Sequence, residues 1–310
     1  TTTNNNNNDD GDDSWKYSAN RLFKAHANPQ GYVLLTSVNF HYRTFLLNLW
    51  CNLERIGSSY QLVIAAMDND VYEWGVRYGL PMFKPAGMEM RPSHFTEKEL
   101  KYGTREYRKV TKFKTHAVVQ VLRAGYSVLY TDVDIVWFKD PFRAMKPYLT
   151  NSYTGIAIQS DAVLHIGSTP TKVAANHRLC SGLYVAPNTS LVIQAFEDII
   201  VHAARSTGTE QHSFVDVLCK ERSTDTSCTY RPENNSSMHL VIDVLDRTTF
   251  VGGGVYTDKT QEKDTIFDIG REAFMKYTHT SVYTAHNNYI IGSSPKMTRQ
   301  IKRGWWFLND

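Results

Sequence analysis

Short, densely apolar runs separated by stretches of helical periodicity set the layout of this chain. Tyr32–Val38 and Leu62–Met67 are apolar at successive rather than alternate positions, as strands buried on both faces are. Between them Leu46, Leu49, Trp50 and Leu53 recur at helical spacing, and Gly57 is placed to stop that helix. Over Arg105–Ala124, Val110, Phe113, Ala117, Val118 and Val121 fall on one helical face closed by Gly125, and the apolar run Tyr126–Tyr130 follows at once. Strands and helices alternating at these lengths predict an α/β protein with a mostly parallel, doubly wound sheet. The second half is less regular. Ile156–Asp161 and Leu179–Val185 read as strands, Leu191–Ala204 as an amphipathic helix, and Gly208–His212 leads into another helix. Gly182 inside a strand marks a close approach of ligand or backbone.

In such sheets ligands bind beyond the carboxyl ends of the strands, where Thr36–Asn39 and Asp132–Asp134 both fall. On an extended segment, Asp132 and Asp134 project to the same side. Two adjacent carboxylates repel unless a cation sits between them, and their hard oxygens suit Mg²⁺ or Mn²⁺. A bare Asp-x-Asp at a strand end is otherwise an ordinary solvated terminus. At 100° per residue Lys114 lies on the inward face with Val110, Ala117 and Val121, and Lys112 lies opposite. An inward lysine just before the acidic strand end either snorkels or meets an anion.

Composition narrows the classes. With 310 residues and 42% hydrophobic content the chain can bury a large core. Its 34 basic and 31 acidic residues leave a net charge of +3, which offers no field for nucleic acid. No run of about 18 apolar residues suggests a membrane span, so a membrane enters only through an anchor outside this chain. Residues 1–14 are polar and low in complexity and are expected to be a disordered tail or stem, with residues 15–310 a single catalytic domain. There is no Gly-x-Gly-x-x-Gly or Walker loop, and Gly252–Gly254 reads as a flexible turn. The four cysteines, Cys51, Cys180, Cys219 and Cys228, allow three pairings. The polar loop between Cys219 and Cys228 suits a local disulfide, which would leave Cys51 and Cys180 to each other. Asn188, Asn234 and Asn235 head glycosylation acceptor patterns.

The stretch Tyr130–Phe142, with Asp132-Val133-Asp134 followed by Ile135, Trp137 and Lys139-Asp140-Pro141, resembles the Asp-x-Asp segment of GT-A-fold nucleotide-diphospho-sugar transferases. It is most similar to the branch holding plant rhamnogalacturonan xylosyltransferases and a slime-mould fucose-directed galactosyltransferase. About 150 residues on, His286-Asn287, Gly292 and Lys296, then Gly304-Trp305-Trp306, resemble the closing motif of the same enzymes. The two motifs, in that order, carry the resemblance from about Gly31 to Trp306.

The resemblance implies a GT-A fold and a metal-dependent, retaining transfer of xylose or galactose from a UDP-sugar to a glycan hydroxyl, with a fucose or rhamnose unit as the acceptor suggested. An arabinosyltransferase of the same fold is the alternative. It implies Asp132, Asp134 and His286 as metal ligands, and Lys296 as a cation at the diphosphate on a 287–296 loop that orders with nucleotide. Lys114 and Val133 would lie against the donor, and Thr36, Val38 and Asn39 against the nucleoside. Asp161, Ser181, Gly182, Glu210 and Gln211 would line the sugar and acceptor side, and Gly292 would belong to the donor site. Cys180 and Glu210 stand where the family has Asn and Asp. Front-face substitution with the leaving oxygen as base gives an α-linked product from an α-linked donor; an inverting route would need Asp161 or Glu210 as base. Trp305, Trp306 and Phe307 would pack under the closing loop. Tyr72, Trp74 and the 83–95 segment could stack on sugar rings. Cysteines, sequons and resemblance together favour the Golgi lumen, as the luminal portion of a type II membrane protein, over the cytoplasm. A glycosidase would also use paired carboxylates, a metal-dependent phosphatase or nucleotidyltransferase the same ion, and a glycan-binding module no nucleotide.

Overall fold

The apolar runs pair into one twisted sheet that divides the core in two. The computed structural model describes residues 14–86, 99, 103–149, 155–162, 164–165, 179–220, 226–233, 237–253, 255–256 and 282–308. Helix α1 (Ser14–His26) precedes β1 (Tyr32–Val38), α2 (Arg43–Arg55), β2 (Leu62–Ala66), α3 (Asn69–Arg77) and β3 (Met82–Phe83). Then come α4 (Arg105–Thr111), α5 (Phe113–Arg123), β4 (Ser127–Thr131), β5 (Ile135–Trp137) and α6 (Pro141–Leu149). The second half holds β6 (Ile156–Ser160), β7 (Leu164–His165), β8 (Leu179–Ala186), α7 (Ser190–Arg205) and α8 (Glu210–Leu218). It closes with β9 (Ser227–Tyr230), β10 (Leu240–Val244), β11 (Phe250–Val251), β12 (Val255–Tyr256), β13 (Thr284–His286) and α9 (Ser293–Lys302).

Eight strands run in the order β3-β2-β1-β4-β8-β6-β10-β9. β8 is antiparallel to both its neighbours, and β9 is antiparallel to β10. The remaining pairs are parallel. This is the mostly parallel α/β sheet that the alternating apolar runs and helices predicted. β1 is buried along its whole length because alternate residues feed two cores. Val33 and Leu35 pack with Phe113, Ala117, Tyr184 and Phe196, whereas Leu34 and Val38 pack with Leu46, Leu49, Leu53 and Trp137. A second, three-stranded sheet, β11-β13-β5, lies where the central strands end. No described helix is long and apolar enough to cross a membrane.

Three expectations change here. The single helix expected over Arg105–Ala124 divides at Lys112, whose ammonium crosses to the Ala203 and Ser206 carbonyls at the end of α7. Cys219 and Cys228 form the expected local disulfide, but Cys51 and Cys180 are free thiols, one on α2 and one buried in β8. Asn188 does not offer its amide for glycosylation: Nδ2 donates inward to the Leu122 and Tyr126 carbonyls. Asn234 and Asn235, the tail to residue 13, and residues 87–95 of the second aromatic segment lie outside the described residues. Trp74 of the first aromatic segment packs against Tyr78, with ring centroids 5.0 Å apart.

Candidate active site

Asp132 and Asp134 meet through a turn rather than through strand alternation. β4 ends at Thr131, and the chain reverses through Asp132–Asp134, with the Ile135 N–H donating to the Asp132 carbonyl at 3.2 Å. β5 then pairs antiparallel with β13, and the register sets Ile135 opposite His286. That pairing brings the imidazole over the acidic turn. Nε2 of His286 lies 3.4 Å from Asp134 Oδ1 and 4.0 Å from Asp132 Oδ2. One ligand atom from each of Asp132, Asp134 and His286 lies within 4.8 Å of the others.

The other imidazole nitrogen fixes what Nε2 can do. Nδ1 lies 2.7 Å from Gln159 Oε1, while Gln159 Nε2 donates to the Phe250 carbonyl. An amide oxygen only accepts, so Nδ1 carries the proton and Nε2 of the neutral ring presents a lone pair to two carboxylates. Three electron-rich atoms facing one another call for a cation among them. Burial pulls the His286 pKa down, but Cys180 and the Asp134 carboxylate outweigh it and raise it above its ordinary value. Two carboxylates and one imidazole in tight, buried array fit a divalent ion of the Mg²⁺–Mn²⁺ kind.

Two lysines complete the cluster. Lys114 Nζ is 2.8 Å from Asp132 Oδ1 and 3.9 Å from Glu210 Oε2, and its ammonium lies 5.5 Å from the Tyr130 ring centroid. Burial opposes its charge, but Asp132, Tyr130 and Glu210 hold its proton well above the ordinary range. Lys296 pairs with Asp134 Oδ2. Burial works against the Asp134 charge too, yet Lys296 and His286 keep that carboxyl well below its usual range.

Lys296 does not sit on a loop, as expected, but in the first turn of α9. Gly292, at φ 101°, turns the chain into that helix. Pro295 fits there because first-turn N–H groups need no helical partner. Asn287 Nδ2 donates to the Lys296 carbonyl at 2.8 Å, and Gln300 Nε2 donates to the Asp134 carbonyl at 3.2 Å, so α9 is bonded to the acidic turn. Trp305 and Trp306 pack beneath it on Phe138 and Phe45. Phe307 N–H donates to Asn48 Oδ1 of α2.

The remaining predicted residues divide into two groups. Glu210 is buried, with Thr115 Oγ1 donating to Oε1 at 2.7 Å and Ser181 Oγ to Oε2 at 3.0 Å. Burial pushes its pKa up to about 7 despite Lys114 and Thr115. Asp161 stands at the rim, accepting from Gln211 Nε2 at 2.9 Å and Asn288 Nδ2 at 2.8 Å. Gly182 touches the cluster directly, for a Cβ there would stand 2.5 Å from His286 Cε1. Val133 packs at the turn. Thr36 and Val38 are buried at the end of β1, and Thr36 Oγ1 has no hydrogen-bond partner among the described residues. Asn39 caps a 3-10 turn, its side chain accepting from the Tyr42 N–H at 3.2 Å. Gln159 and Asn288 were missed. The signal for Gln159 was a lone amide in an apolar strand, since a buried polar group needs a partner.

Known proteins resemble the chain over most of its length. It is 31% identical over 278 residues to the β-arabinofuranosyltransferase RAY1 of Arabidopsis thaliana, a match covering 88% of this chain and 47% of that protein. Thus the chain spans about half the length of that relative. It is 22% identical over 286 residues to a UDP-D-xylose:L-fucose α-1,3-D-xylosyltransferase of Arabidopsis thaliana, covering 90% of this chain and 70% of the other. It is 25% identical over 221 residues to the UDP-galactose:fucoside α-3-galactosyltransferase of Dictyostelium discoideum, covering 70% and 31% of the two. The family model for nucleotide-diphospho-sugar transferases matches residues 59–300, from just before β2 into the helix that carries Lys296, and the chain belongs to that family.

Proposed function

We propose that this chain transfers a sugar from UDP to a glycan hydroxyl, with retention at the anomeric carbon, as one catalytic unit over residues 15–310. The observation that carries the reading is the convergence of Asp132, Asp134 and His286 Nε2 between Lys114 and Lys296. Those three residues would hold Mn²⁺ or Mg²⁺, and the nitrogen ligand favours Mn²⁺. When bound, the ion would neutralise charge on the departing diphosphate. Lys114 and Lys296 add fixed positive charge on either side of the leaving group, where it matters most as charge develops. Asp161 and Gln211, hydrogen-bonded to each other at the rim, offer one acceptor and one donor array to sugar hydroxyls.

Retention is favoured by how the other carboxylates are used. Both Glu210 oxygens accept from hydroxyls, and both Asp161 oxygens accept from side-chain amides. Neither is poised as a dedicated base, and the front-face route needs none. Relatives named for arabinofuranosyl, xylosyl and galactosyl transfer make those three sugars the donors to try first. The linkage would keep the donor's own anomeric sense. The Cys219–Cys228 disulfide favours an oxidising compartment such as the Golgi lumen.

UDP release from a panel of UDP-sugars, with EDTA and then Mn²⁺, tests the reading. EDTA should silence the protein and Mn²⁺ restore it, while Asp132→Asn and Asp134→Asn lose at least 100-fold without loss of fold. Retained Mn²⁺-dependent activity in either variant sinks the metal assignment, and an inverted product anomer by proton NMR sinks retention.

A further inference from the structure

Among the described residues Tyr289 is the one non-glycine with a positive φ, at 60°. A bulky side chain in that left-handed region is strained, and such strain persists only where the surroundings impose it. The two residues before it are tied down. The Asn287 N–H donates to the Asp134 carbonyl at 3.2 Å, and Arg299 Nη1 on α9 lies 3.4 Å from both Asn287 Oδ1 and the Asn288 carbonyl. Asn288 Oδ1 accepts from the Gly253 N–H, and its Nδ2 donates to Asp161 Oδ1 at 2.8 Å. The backbone that enters Tyr289 is therefore held to the acidic turn, to α9 and to Asp161.

The far end of the side chain is held as well. The Tyr289 hydroxyl donates to the Asp161 carbonyl, so the ring is anchored at Cα and at Oη, yet the residue stays 40% exposed. Two residues on, Ile291 is 69% exposed. Glycine or asparagine would take this backbone with less strain. Folding alone does not ask for an aromatic ring at this φ, fixed at both ends and left half open at the rim of the site.

We propose that Tyr289 is a stacking platform for the acceptor sugar that receives the transferred unit. The inference rests on the reading above that the acceptor is a glycan. The C–H groups on one face of a sugar ring are apolar and weakly positive, and they pack on the negative face of an aromatic ring. Hydroxyls at the edge of that sugar would then meet Asp161. Its carboxylate has about four lone-pair sites, and Gln211 and Asn288 leave some of them open. The exposed position selects the acceptor over the donor. A donor sugar would be tied through its diphosphate to the cluster around buried Asp134 and His286, whereas an acceptor arrives from solvent. A ring already fixed in place loses little freedom when the sugar binds.

The test uses the full chain with Mn²⁺ and UDP, and the methyl glycosides of fucose, rhamnose, galactose and arabinofuranose as probes. Saturation-transfer NMR should find the C–H protons on one face of a bound probe saturated by the protein. Tyr289→Asn, which suits the left-handed backbone and removes the ring, should weaken that probe's binding about 10-fold and leave UDP affinity unchanged. Tyr289→Phe, which keeps the ring, should bind the probe within about threefold of wild type. In urea Tyr289→Asn should be at least as stable as Tyr289→Phe, since both lose the hydroxyl bond and only asparagine is at ease at this φ. Wild-type probe binding in Tyr289→Asn overturns the proposal, and so does an equal loss in both variants, which would assign the effect to the hydroxyl. A Tyr289→Asn protein less stable than Tyr289→Phe would make the ring a part of the fold instead. Weakened UDP binding in Tyr289→Asn would set the ring at the donor and overturn the acceptor assignment. Wild-type protein that binds UDP but no probe also sinks the platform, whereas failure to bind UDP at all would strike the transferase reading.

Discussion

Gly182→Ala is the sharpest probe of the site, because it adds one methyl group and removes no ligand. Gly182 lies on β8, and its carbonyl accepts from the Asp132 N–H at 2.7 Å. A Cβ there would stand 2.5 Å from His286 Cε1, 2.7 Å from Asp132 Oδ2 and 3.1 Å from His286 Nε2. Carbon contacts settle at about 3.5–4.0 Å, so the imidazole has to retreat by roughly 1 Å. It cannot do so freely: its other nitrogen is held at 2.7 Å by Gln159, and Asp132 is held at 2.8 Å by Lys114. Displacing a reacting group by about 1 Å costs on the order of 100-fold in rate, and disturbing a ligand's support costs about 10- to 100-fold in metal affinity. Overpacking of the buried strand adds about 1–3 kcal/mol of instability, which leaves the fold intact. Calorimetric Mn²⁺ titration, UDP-sugar turnover and urea unfolding on one preparation separate these effects. A Gly182→Ala protein with wild-type Mn²⁺ affinity and turnover would show that the imidazole and the acidic turn do not act together.

Two further outcomes follow from buried groups. Cys219→Ser with Cys228→Ser opens a link of sequence separation 9 and should lower unfolding free energy by about 2.5 kcal/mol; Mn²⁺-dependent turnover should stay, and urea midpoints within error of wild type would deny the bond a stabilising role. Glu210 has a folded pKa raised from 4.5 to about 7, so its contribution is fully present below pH 4.5 and is lost as pH rises through 7. Glu210→Gln abolishes that titration, so its stability relative to wild type should climb across this window, by on the order of 3 kcal/mol. Parallel unfolding curves for the two proteins from pH 4.5 to 7.5 would refute the shift.

The frame was legible where burial on both faces leaves a mark in the sequence. β1, β2 and β4 were all read from apolar runs, because parallel strands under helices have no polar face to interrupt them. The three-stranded sheet was not, since β11, β13 and β5 have only two or three residues each. Runs that short carry no period, and the pairing of β5 with β13 joins residues about 150 apart. So the contact between His286 and the acidic turn followed from the resemblance, and the register that makes it, Ile135 opposite His286, was invisible. The turn at Asp132–Asp134 was misread as strand because its flanks are apolar on both sides. In α9 the small residues and proline of Ser293–Pro295 suggested a loop, although serine and proline are equally at home in a helix's first turn. Lys114 was placed correctly for a simple reason: on a helix packed against a sheet, angle alone decides which side chains face inward.

What the sequence could not convey is how the charges balance. Asp132 and Asp134 carry two negative charges, and Lys114 and Lys296 carry two positive ones, each lysine against its own aspartate. Two ion pairs this buried are expensive unless each charge keeps its partner, which is why Lys114 and Asp134 are held so firmly in their charged forms. The same arrangement makes the lysines transferable. Each touches one carboxylate oxygen and leaves the other oxygen of that aspartate toward His286 Nε2. A ligand bringing a divalent cation and a diphosphate would supply a new partner for every one of these charges at once: the cation for the aspartates and the phosphates for the lysines. Sequence order leaves His286 and Lys296 more than 150 residues beyond the aspartates, and the pairing of β13 with β5 and the docking of α9 on the turn bring them into one cluster.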